Sequence, residues 1–128
     1  MEQSALKTIL CIEDELFISE LYVRALKKAG YRPEVVVDGE AGLQAAKTGR
    51  YDIILLDLMV PQRTGMDILR QLRGPEAPPI KSRIVVATNL DLPETEKAEL
   101  MKLADGYIIK AEITPRQLVE FINRIKIS

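Results

Sequence analysis

The sequence predicts an α/β domain on a five-stranded parallel sheet, and three observations carry that prediction. Five short runs rich in β-branched and other apolar residues lie at 8–13, 32–37, 52–57, 83–88 and 107–110 of the 128 residues. Three of these contain an unbroken apolar stretch (Ile9-Leu10-Cys11-Ile12, Ile53-Ile54-Leu55-Leu56 and Ile84-Val85-Val86-Ala87), as expected for strands covered on both faces. Stretches with helical spacing separate the runs, and regular alternation of strand and helix makes right-handed βαβ units.

Taken in order, the first helix covers 15–29. It places Phe17, Leu21 and Ala25 on one stripe, with Ile18, Tyr22 and Leu26 beside it. Gly30, Gly49 and Gly74 each follow a helical stretch, where a left-handed C-cap favours glycine. Residues 74–82 hold Pro75, Pro78 and Pro79 and read as a loop inside the alternation, too short to divide domains. The last helix opens with Thr114-Pro115-Arg116-Gln117, a capping box with proline at the first helical position. Its buried face is Leu118, Phe121, Ile122 and Ile125. Without repeats or low-complexity tracts, residues 1–128 read as a single domain.

Composition narrows the function. Lys and Arg number 18 against 19 Asp and Glu, so the net charge of −1 argues against direct, non-specific nucleic-acid binding. An apolar fraction of 47% excludes intrinsic disorder. The absence of histidine removes the usual general base, a phosphohistidine carrier and the commonest zinc ligand. Cys11, the one cysteine, supports neither an internal disulfide nor a thiolate metal site, which fits a reduced, cytoplasmic setting. No apolar run is long enough to span a membrane, and Met1-Glu2-Gln3-Ser4 lacks the features of a signal peptide.

Ligands of open α/β sheets bind beyond the carboxyl ends of the strands. The first run ends in Glu13-Asp14-Glu15, the third in Asp57, the fourth in Thr88-Asn89 and the fifth in Lys110. Acids stand where a dinucleotide or flavin site would need a phosphate-cradling loop, and they would repel phosphate unless a cation came between. Oxygen ligands without His or Cys suit a hard cation such as Mg²⁺. Alone, Asp14 reads as a helix N-cap, Thr88 as a β-former, Lys110 as a solvated charge and Tyr107 as a half-buried strand residue. Asp57 resists such a reading, because a carboxylate after four apolar residues and near other acids needs a cation. Asp14, Asp57, Thr88 and Lys110 stand at equivalent strand ends, and together they predict one crevice.

The chain resembles the receiver domain of bacterial two-component response regulators over essentially its whole length. The motifs are Ile12-Glu13-Asp14-Glu15, then Asp57-Leu58-Met59-Val60-Pro61 with Gly65, then Thr88, and finally Tyr107-Ile108-Ile109-Lys110. The resemblance implies a flavodoxin-like (βα)5 three-layer sandwich with strand order 2-1-3-4-5. It implies Asp57 as phosphoacceptor, supplied by a sensor histidine kinase or a histidine phosphotransfer protein. It implies Mg²⁺ held by Asp14, Asp57 and the Met59 carbonyl, with Glu13 acting through water. Lys110 would meet a phosphoryl oxygen, while Thr88 and Tyr107 would switch a surface running from about Pro93 to Ile127. That surface would control a downstream target protein, and the family also accommodates a homodimer through the fourth-helix to fifth-helix face.

Three residues depart from the family pattern. Glu13 stands where aspartate is commoner and keeps the charge on a longer arm. Asn89 replaces a small residue, from which slowed or altered dephosphorylation is expected. Lys110-Ala111 replaces Lys-Pro, whose peptide is typically cis, and the sequence leaves that geometry open. The chain starts at Met1 and stops after the last helix, so the expectation is a stand-alone, chemotaxis-type regulator, a switch rather than a turnover enzyme, with a receiver that is part of a longer protein as the other reading. The alternative reading is a receiver-like interaction module that is not phosphorylated.

Overall fold

The three unbroken apolar runs form the middle of one sheet. The computed structural model describes residues 7–125. Along it run β1 (Thr8–Ile12), α1 (Leu16–Lys28), β2 (Arg32–Val36), α2 (Gly39–Lys47), β3 (Ile53–Leu56), α3 (Gly65–Arg73), β4 (Arg83–Thr88), α4 (Glu94–Leu103), β5 (Gly106–Ile109) and α5 (Pro115–Asn123). All the strands pair in parallel in the order β2-β1-β3-β4-β5, as the resemblance implied. β1, β3 and β4 therefore have a neighbour on each side, which explains why their sequences are apolar without alternation.

Alternation along each strand divides the core into two layers. Leu10, Ile12, Ile54, Leu56, Ile84 and Val86 face α2, α3 and α4, where they meet Leu43, Ile68, Leu69 and Leu100. Ile9, Cys11, Ile53, Leu55, Val85 and Ala87 face α1 and α5, against Tyr22, Leu26, Leu118 and Ile122. The result is a three-layer sandwich with every strand's carboxyl end on one edge.

Several local expectations change. Phe17 is exposed; α1 buries Ser19, Tyr22 and Leu26 instead, because the face toward the sheet is centred on the second predicted stripe. The N-cap of α1 is Glu15 rather than Asp14, and it makes no side-chain cap bond. Gly30 and Gly49 have positive φ (97° and 72°), as left-handed C-caps require. Gly74 does not, at φ −70° and ψ 173°. Its small size serves close approach instead, since a Cβ there would lie 2.4 Å from the Arg70 carbonyl oxygen. The capping box at Thr114 and Gln117 forms as expected. Four strands end one residue short of the predicted runs, at Ile12, Val36, Leu56 and Ile109. Met1 to Ser4 and Ile127 lie outside the described residues, among which no helix is long and apolar enough to cross a membrane.

Gly65 brings α3 against the chain that leaves β3. Its N–H donates to the Leu58 carbonyl at 3.0 Å. A Cβ on it would lie 2.4 Å from Leu58 Cα and 2.5 Å from the Asp57 carbonyl oxygen. Both are backbone atoms, so Gly65→Ala is expected to destabilise the domain by about 1–3 kcal/mol, the usual scale of overpacking. A lower urea midpoint with an unchanged m-value is the corresponding observation.

Candidate functional site

Backbone hydrogen bonds carry the strand pairing one residue past β1 and β3. Asp57 N–H donates to Ile12 O at 3.1 Å, and Glu13 N–H to Val36 O at 3.0 Å. Two carboxylates thereby emerge side by side where the apolar layer ends, and both are buried. The chain then turns outward at Asp14, which is exposed. Glu13, Asp14 and Asp57 can each offer a carboxylate oxygen, and these oxygens lie within 4.8 Å of one another.

One ammonium compensates this charge. Lys110 Nζ donates to Glu13 Oε1 at 2.9 Å, Asp57 Oδ2 at 2.9 Å and Glu15 Oε1 at 3.1 Å. The other oxygens are tied locally, Asp57 Oδ1 by Met59 N–H at 3.2 Å and Glu13 Oε2 by Glu15 N–H at 3.2 Å. Burial pushes Glu13 up to about 7; the Lys110 hydrogen bond opposes this and the Asp57 charge adds to it. Burial would lower the Lys110 pKa, but hydrogen bonds to Glu13 and Asp57 outweigh it and the net shift is upward. The ammonium therefore stays charged at neutral pH.

These groups border a crevice of about 340 Å³ lined by Asp14, Glu15, Asp57, Met59, Asn89 and Lys110. A larger hollow of about 530 Å³, between the end of α2 and residues 76–81, shares no lining residue with it and has Glu76 as its one acid. Thr88 departs from the expected crevice. It is buried with Val86 on the α2–α4 side of the sheet, outside the lining, and its hydroxyl accepts the Leu90 N–H at 3.1 Å. Tyr107 is half-buried against the same layer, its ring 6.0 Å from Lys97 Nζ. Glu15, in the acidic run that marks the first strand end but outside the predicted metal set, also reaches the Lys110 ammonium. Among the described residues no peptide is cis, so Lys110-Ala111 is trans, and residues Lys110–Glu112 form one 3-10 turn.

The chain matches the family model of the response regulator receiver domain across residues 9–123. It belongs to that family. This receiver is 35% identical over 118 residues to the response regulator ArlR of Staphylococcus saprophyticus, covering 92% of this chain and 50% of that protein. It is 34% identical over 121 residues to the transcriptional regulatory protein DltR of Streptococcus agalactiae, covering 93% and 50%. The chain thus spans about half the length of the curated relatives it matches. Among solved structures, the receiver domain of a Pseudomonas aeruginosa sensor histidine kinase is 27% identical with a TM-score of 0.78, covering 94% of this chain and 97% of that one. That structure holds a magnesium ion coordinated in its active site cleft.

Proposed function

We propose that this receiver takes a phosphoryl group onto Asp57 from the phosphohistidine of a sensor kinase or phosphotransfer protein and passes the change to a protein target in the cytoplasm. The observation that carries the reading is the cluster of the Glu13, Asp14 and Asp57 carboxylates, of which Glu13 and Asp57 are paired with the Lys110 ammonium. An all-oxygen donor set suits Mg²⁺; Asp14, Asp57 and the Met59 carbonyl would hold it, and Glu13 would act on it through water. When bound, the ion would neutralise negative charge on the acids and on the incoming phosphoryl oxygens.

The chain's own groups do the rest. A carboxylate oxygen of Asp57 attacks phosphorus in line with the leaving imidazole. An O–P bond forms, the P–N bond breaks, and its electron pair stays on the imidazole nitrogen. Lys110 remains protonated and turns its ammonium to a phosphoryl oxygen as a fixed point charge. Thr88 would turn its O–H to donate to a phosphoryl oxygen while its hydroxyl oxygen still accepts the Leu90 N–H, so the segment leading into α4 would be drawn with it and Tyr107 would follow. The surface of α4, β5 and α5 is the output face and the candidate homodimer face. The domain is a switch whose transfer and hydrolysis are self-catalysed.

Incubation with acetyl phosphate and Mg²⁺, followed by intact mass measurement, tests this reading. A gain of one phosphoryl group that is lost without Mg²⁺ is expected. No gain from acetyl phosphate or from a phosphohistidine donor would support the unphosphorylated module instead.

A pH dependence accompanies the metal site. The folded Glu13 value of about 7 lies above its ordinary value of 4.5. Between the two, the folded chain holds a proton that the unfolded chain has lost, so this group's contribution to stability falls as pH rises through that window. Mg²⁺ competes with that proton, and the rise in Tm on adding Mg²⁺ is expected to be larger at about pH 8 than at about pH 5.5. Equal shifts at the two pH values would contradict the link between Glu13 and the metal.

A further inference from the structure

We propose that Asn89 is a positioning residue for Lys110, holding the root of the lysine while the acids hold its head; the catalytic consequence rests on the phosphoacceptor reading above. β4 and β5 pair as far as Thr88↔Ile109, and there the ladder stops. Asn89 leaves β4 and Lys110 enters its 3-10 turn. A side chain bridges the gap, with Ala111 N–H donating to Asn89 Oδ1 at 2.7 Å. One bond therefore joins the residue after Thr88 to the residue after Lys110.

Ile113 after the turn packs on the α1–α5 layer, but inside the turn the support is weak. Its own closing bond, Ile113 N–H to Lys110 O, is long at 3.4 Å, and a single 3-10 turn is weakly self-supporting. At the other end, the ammonium is shared among Glu13, Asp57 and Glu15. Those contacts must rearrange when a cation and a phosphoryl group enter the crevice. The Asn89–Ala111 bond lies on the rim and does not depend on them, so it keeps the lysine aimed inward during that exchange. The departures at 89 and 111 are then one device: Ala111 supplies an N–H that proline lacks, and Asn89 supplies its acceptor.

The test is a double-mutant cycle on the rate of phosphorylation by acetyl phosphate in Mg²⁺. Asn89→Ala is expected to slow the native chain about threefold to tenfold, the scale of one net hydrogen bond. In an Ala111→Pro background, where no N–H remains, the same substitution is expected to change the rate by less than about twofold. An equal effect in both backgrounds would assign Asn89 a direct action on the phosphoryl group or on water, and would overturn the proposal. So would no effect in the native background. Hydrogen exchange at the Ala111 amide reads the anchor without phosphorylation, and it is expected to speed up in Asn89→Ala; an unchanged rate also overturns the proposal. Failure of the native chain to take up a phosphoryl group from any donor would instead defeat the phosphoacceptor reading, and with it any role of Asn89 in transfer.

Discussion

Asp57→Asn is expected to abolish phosphoryl uptake without weakening the fold. The carboxamide keeps the shape of the side chain but removes the nucleophile, so no mass gain should appear under conditions that label the native chain. Stability follows a different rule. Removing one partner of a buried ion pair usually leaves an uncompensated charge. Here Lys110 would retain Glu13 at 2.9 Å and Glu15 at 3.1 Å, while one of several mutually repelling acids disappears. Without Mg²⁺, the urea midpoint of Asp57→Asn should match or exceed that of the native chain. Intact mass and a urea melt together check both halves.

Lys110→Met is expected to weaken the fold and slow phosphorylation together. The side chains of Lys110, Glu13 and Asp57 are each about 5–6% exposed, and methionine would leave two buried carboxylates facing each other without a cation. The penalty for stranding buried charge is about 3–5 kcal/mol. In Mg²⁺-free buffer it should be largest near about pH 8, and smaller near about pH 5.5, where Glu13 takes up a proton. Mg²⁺ should recover much of the lost stability by replacing the missing positive charge. Phosphorylation should still fall by about a hundredfold or more, the scale of losing one preorganised charge on a transferring group. Urea melts at the two pH values, with and without Mg²⁺, read the first effects and a time course of mass gain reads the last.

The sheet was legible because its signal is coarse. Short unbroken runs such as Ile53-Ile54-Leu55-Leu56, alternating with helical stretches, suit strands covered on both faces, and the structure places those runs at the centre. Acids at the ends of β1 and β3 were legible for a similar reason, since a carboxylate after such a run needs a partner. Direction within an element was harder to read. Two adjacent apolar stripes on α1 left the inward face undecided, and packing chose the one containing Tyr22 and Leu26. Thr88 stands at a strand end like Asp57, yet the two-residue period places it with Val86, so its hydroxyl is buried toward α4. Gly74 shows how a residue type can be correct for another cause, close contact with Arg70 in place of a left-handed cap.

Least legible was the link between Asn89 and Ala111. Each stood out in the sequence as a separate departure, and no periodicity joins positions on two different loops. The parallel pairing of β4 with β5 as far as Thr88 and Ile109 brings the carboxamide and the N–H together. Glu15 is a related case. Its reach to Lys110 depends on how α1 begins, with Glu15 at the N-cap and its carboxylate free to turn back toward the crevice.

The most direct measurement is the chemical location of the phosphoryl group. After phosphorylation with acetyl phosphate and Mg²⁺, borohydride reduction converts an acyl phosphate at aspartate to homoserine, which peptide mass mapping then places in the chain. Homoserine at position 57, and at no other acidic position, is the expected result. Homoserine at Asp14 or elsewhere, with Asp57 intact, would contradict the assignment of the phosphoacceptor.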